Sequence, residues 1–143
     1  MTWRLVPKTK PALLWAVLDH FQSAGASLSF EGDLHALGVL SLPLASKPET
    51  KILKRHSVSP RLDFVVLPIS ESLVTQLKKL LGRPGVFNVE GVLIHVQVEV
   101  NGALAFGAYD NFHRDCVRGG SVLTESLLQE WVTAGVLRSY AVV

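Results

Sequence analysis

The sequence predicts an α+β fold: one domain, residues 1–143, with a mixed, mostly antiparallel sheet and about three helices packed on it. Three observations carry this reading. Apolar residues recur at helical spacing near the start, the middle and the end of the chain, with strand-like runs between them. Asn101-Gly102 separates two alternating runs, the pattern of a two-residue antiparallel hairpin. Strands and helices do not alternate regularly, which argues against a doubly wound parallel sheet.

The elements follow in order. Thr9-Lys10-Pro11 opens a helix near 11–24, because proline is tolerated in a first turn, and Gly25 stops it. Leu13, Leu14, Val17, Leu18 and Phe21 form its buried stripe. Ser27 to Phe30 alternates and starts a strand. Val39 to Leu44 is an apolar run ended by Pro43, read as an edge strand. Thr50 to Ser57 and Leu62 to Leu67 read as two more strands around a Ser59-Pro60 turn, with Phe64 to Leu67 central. Ser70 caps a second helix with Glu71 in its first turn, and Gly82 to Gly85 ends it.

The hairpin arms run over Val92 to Val100 and Ala103 to Tyr109. A two-residue turn sets Val98 against Ala105, Val96 against Gly107 and Ile94 against Tyr109. Gln97 would then meet Phe106, and His95 would meet Ala108, on a partly buried amphipathic face. The small residues facing valine suggest a close-packed helix. A polar loop follows from Asp110 to Gly120. Thr124 caps a third helix that Gly135 ends, and residues 136–140 read as a last strand. Trp15 and Trp131 fall on helices and read as core or rim. Trp3, near a terminus, reads as the tryptophan at a surface contact.

Composition bounds the function. The chain is 48% apolar and 18% charged, which excludes a disordered protein. One cysteine excludes a disulfide-stapled scaffold. No apolar run reaches membrane-helix length, and MTWRLVPKTK lacks the apolar region of a signal peptide, so no membrane partner and a cytoplasmic location are expected. The net charge of +2 gives no general drive toward nucleic acid. Residues 1–83 nonetheless hold eleven Lys and Arg against six Asp and Glu, and residues 84–143 hold three against six. Lys47, Lys51, Lys54, Arg55 and Arg61 are the densest positive stretch. No aromatic residue interleaves them, so base stacking is not expected there.

The residues richest in functional groups are Tyr109, Asp110, Phe112, His113, Arg114, Cys116 and Arg118. Three readings compete. Asp110, His113 and Cys116 stand three apart and are zinc-ligating types, with His95 as a fourth candidate. No second cysteine or His-x-x-x-His pair supports them, and no metal is expected. Cys116 could act as a nucleophile with His113 or His95 as base and Asp110 or Asp115 orienting it, with His113, Cys116 and Asp110 the catalytic candidates. The third reading, adopted here, is structural and interfacial. Tyr109, Asp110, Phe112, His113, Arg114 and Arg118 would form a recognition surface, since Tyr and Arg are enriched at hot spots.

No nucleotide-binding or hydrolase signature is present, and no cofactor is expected. The resulting expectation is a non-enzymatic module that docks on a partner protein, of the bacterial inhibitor or toxin-immunity type. The alternative is a small enzyme or ligand-binding protein using the loop at 110–118. A homodimer through an exposed strand edge stays open.

Overall fold

The computed structural model describes residues 2–88 and 92–143. Seven strands form one sheet: β1 Trp3–Pro7, β2 Ser27–Gly32, β3 Asp63–Pro68, β4 His95–Val100, β5 Ala103–Ala108, β6 Val117–Gly119 and β7 Leu137–Val142. Their order is β3-β2-β4-β5-β6-β1-β7, and every pairing is antiparallel. Three helices join it: α1 Lys10–Phe21, α2 Glu71–Leu81 and α3 Glu125–Thr133.

All three helices start on the hydroxyl caps that their sequences supply. The side chains of Thr9, Ser70 and Thr124 accept from the N–H groups of Ala12, Leu73 and Leu127. Their apolar stripes pack with Leu28, Phe30, Val65, Leu67, Val96 and Val98 in one continuous core. The period of two in β2 and β3 sends the intervening residues to the other side of the sheet. There Phe64 and Val66 meet Leu53 in a small second cluster.

Several expectations need correction. Val39 to Leu44 is not a strand. It begins with a single-turn 3-10 helix, Val39–Ser41, that follows another, His35–Leu37, across Gly38, whose φ is +82°. Val39 is buried in the core from this turn, while Leu44 is exposed. Thr50 to Ser57 forms no strand either, because side chains take its backbone donors. Thr50 Oγ1 accepts from Ile52 and Leu53, Glu49 from Arg55, and Glu31 from His56 and Ser57. Residues 46–62 are instead an irregular strap across one face of the sheet, beginning at a single bridge from Ser46 to Val66.

The apolar β3 is an edge strand, not a central one, and the strap and the helices cover its two faces. β1 and β6 are strands that the local pattern did not reveal. Trp3 is 6% exposed, with its indole Nε1–H on Leu123 O at 2.8 Å, so it is a core residue.

The hairpin turn forms as expected, with positive φ at both Asn101 and Gly102. Val100 faces Ala103 and Glu99 faces Leu104, but an irregularity between Val98 and Glu99 then shifts the register. Beyond it Val98 meets Phe106, Gln97 meets Gly107 and Val96 meets Ala108. The one-residue shift turns the far half of β5 over: Phe106 joins the helix-side core, and Gly107 comes to the Gln97 side. Gly107 makes room for a ring there, not for a helix. A Cβ on it would lie 2.6 Å from the Tyr109 hydroxyl.

Candidate functional site

The stretch from Tyr109 to Arg118 does not present one surface. Asp110, Asn111 and Phe112 all have left-handed backbones, with φ of 51°, 56° and 58°. Three such non-glycine residues in succession store strain, a recurrent property of functional loops. The Asn111 N–H donates to Ile94 O at 2.8 Å, which pins the turn beside the start of β4. The twist separates the candidate residues. Tyr109 stays on the strap side of the sheet. Phe112 turns inward, 4% exposed, edge-on to Phe87 at 6.2 Å. His113 and Arg114 point to solvent. Arg118 lies on β6, paired with Gly107 on one side and Arg4 on the other.

Cys116 is half-buried beside the carboxylates of this loop. Burial and the nearby Asp110 and Asp115 carboxylates push its thiol above the ordinary value, with Arg118 opposing them. Its Sγ is 3.8 Å from Asp110 Oδ2, and the His113 ring nitrogen Nδ1 accepts from the Asp115 N–H instead. Among the described residues, no three His, Cys, Asp or Glu side chains gather as metal ligands would. His95 meets Asp110 through the Asp110 N–H, not through its carboxylate.

The buried polar side chains share one face. Ser29 and Glu31 on β2, and His95 and Gln97 on β4, all lie on the side opposite the helices. The strap supplies partners for Glu31 and Gln97, while Gln97 bonds Ser29 and the Asp110 N–H bonds His95. Glu31 takes the N–H groups of His56 and Ser57 at 2.8 and 3.1 Å, and also the Ser57 hydroxyl. The Gln97 amide donates to Ser29 Oγ at 3.2 Å and to Lys54 O at 2.7 Å. Its Oε1 faces the Tyr109 hydroxyl at 3.4 Å and His56 Nε2 at 3.3 Å. The rings of His56 and Tyr109 lie 4.5 Å apart, and His95 lies 5.5 Å from His56.

Electrostatics follow from this arrangement. Burial would raise the Glu31 carboxyl. The three hydrogen bonds from Ser57 and His56, helped by His95, hold it below its ordinary 4.5. Burial lowers His95 below 6.5, outweighing the pull of Glu31 and Asp110. Its Nδ1 accepts from the Asp110 N–H at 3.2 Å, as the neutral ring requires. Burial raises Tyr109. The expected patch of His95, Gln97 and Phe106 is therefore corrected at Phe106, which leaves it for the helix-side core, and the strap buries the two residues that remain. Glu31, His56 and Ser57, which sequence reasoning missed, complete it. The alternation of polar and apolar residues from Ser27 to Glu31 was the sequence signal for Glu31.

A second feature lies at the end of the sheet where β1 runs into α1. A cleft of about 560 Å³ opens there, with Phe87 and Phe112 among its apolar residues. Lys8 and Lys10 reach it from the β1–α1 turn, Arg114 from the strained loop and Arg138 from β7. No carboxylate lines it among the described residues. Arg114 is 86% exposed and only 4.0 Å from its neighbour Asp115, a weak surface contact. Of the six residues expected to form the binding surface, the cleft takes Phe112 and Arg114. It adds Lys8, Lys10 and Arg138, which are scattered in sequence and carry no motif.

No family model, curated protein or solved structure matches this chain. The fold and its two sites define a single-sheet α+β domain with a strapped polar face and a cationic cleft at one end. No helix among the described residues is long and apolar enough to cross a membrane.

Proposed function

We propose that this protein is a binding module that docks a partner protein in the cleft at Lys8, Lys10, Arg114 and Arg138. The partner would present an acidic segment carrying one apolar side chain. The observation that supports this is the convergence of four cations around Phe87 and Phe112, with no carboxylate lining the cleft among the described residues. An apolar anchor on an aromatic floor supplies affinity, and rim charges supply steering and register. The strained turn at 110–112 serves this arrangement, because it turns Phe112 into the floor and leaves Arg114 on the rim.

The test is a library of short peptides in which Asp and Glu flank one Leu, Phe or Trp. Binding should be selective for acidic members and weaken steeply with salt. Charge reversal by Arg114→Glu and Arg138→Glu should weaken it about tenfold or more, with normal melting, whereas Lys79→Glu on α2 should leave it unchanged. Equal binding of basic and acidic members would overturn the reading.

A further inference from the structure

We propose that the pocket between the strap and the start of β3 is an oxyanion site that takes a phosphate or phosphoryl group. It is separate from the docking cleft and does not rest on it. The pocket measures about 240 Å³. Lys47 reaches it from the beginning of the strap, Arg55 from its middle and Arg61 from its end, and His35 faces them from the first 3-10 turn.

The only carboxylate lining the pocket, among the described residues, is Asp63, and it is already engaged. Its Oδ1 is 3.5 Å from His35 Nε2, and its Oδ2 accepts the Leu34 N–H at 3.1 Å. No ion pair neutralises Lys47, Arg55 or Arg61 among the described residues. Like charges drawn into one concave site repel one another unless an anion joins them.

Arg55 is positioned in advance. Its guanidinium stands 5.2 Å from the centre of the Phe64 ring, and its Nη1 donates to Leu62 O. A planar guanidinium held this way keeps further donors for a tetrahedral oxyanion and loses little freedom on binding. The pocket is smaller than a drug-sized ligand needs. It suits an oxyanion with a few waters at about 30 Å³ each. An anion bridging Lys47 and Arg61 would join the two ends of the strap. Binding would therefore stabilise the strap on the sheet by linkage.

The experiment is a backbone amide NMR titration with inorganic phosphate up to about 10 mM, at constant ionic strength set with chloride. A parallel arm uses phenyl phosphate. Saturable shifts confined to residues 35–40 and 46–64 are expected. Arg61→Ala and Lys47→Ala should each weaken binding about tenfold, the usual loss for one charge-assisted contact. Neither side chain makes a hydrogen bond or ion pair among the described residues, so both variants should melt normally. Saturation by both ligands assigns the site to the free anion. Saturation by phenyl phosphate alone assigns it to a phosphorylated group, and the oxyanion chemistry stands. Absence of saturable shifts in both arms, or shifts that survive Lys47→Ala/Arg61→Ala, would overturn the proposal.

Discussion

The two faces of the sheet are covered by different physical means. On one, Leu28, Phe30, Val96 and Val98 lie under helices and are held by non-directional apolar burial. On the other, Ser29, Glu31, His95 and Gln97 lie under a strap without regular structure, and hydrogen bonds from Glu31 and Gln97 hold the strap by its backbone. The same two strands supply both sets, through nothing more than the alternation of their side chains. Apolar burial tolerates small displacements of its cover. A buried carboxylate does not, because each lost partner leaves a desolvated charge or donor. The strapped face should therefore respond to pH and to single polar changes, and the helix face to volume.

The largest effect should come from the helix face. Phe30 is fully buried, and Phe30→Ala should cost about 3–5 kcal/mol of unfolding free energy by denaturant titration, with little change in its pH dependence. A smaller effect is expected from Glu31→Ala. It leaves three donors of the strap without their acceptor, and the loss should be about 2–3 kcal/mol because water can replace part of the network. The comparison breaks if amide exchange at His56 and Ser57 is no faster in Glu31→Ala than in the parent.

The pH response should be smallest per unit pH and the most diagnostic. His95 is depressed in the folded state, so the unfolded chain binds its proton first. Stability should fall as pH drops below the ordinary value of 6.5 and level off below the folded one. Glu31 is also depressed, so a second loss should begin below 4.5 and continue through its lower folded value. His95→Gln should flatten the first stage in a series of urea midpoints. A midpoint constant from about pH 7 to pH 5 in the parent would remove His95 from the account.

Local chemistry made much of the fold legible. Thr9, Ser70 and Thr124 are caps that need only their own next turn, and Asn101-Gly102 needs only the twist of its own hairpin. The stripes of α1 and α2 were readable because a helix presents its buried face every three or four residues. Less of the candidate sites was readable. Tyr109 to Arg118 stood out by composition, yet three left-handed residues divide it between two regions.

What depended on distant parts of the chain could not be read locally. β1 is a strand because Trp3 pairs with Gly119 and Val142, neither of which leaves a mark on residues 3–7. Thr50 to Ser57 carries strand-like residues, but the Glu31 carboxylate and the Thr50 hydroxyl compete for its N–H groups, and side chains win over a ladder. The shift between Val98 and Glu99 decides which side of the sheet Phe106 and Gly107 face, and thereby where Tyr109 can lie. The charges of the cleft come from separated segments, so their field exists only once the chain has closed, whereas Lys47, Arg55 and Arg61 stood together in the sequence as its densest positive stretch. Short-range sterics and hydrogen bonds select the elements. Long-range pairing and the demand that every buried polar group find a partner select the sites.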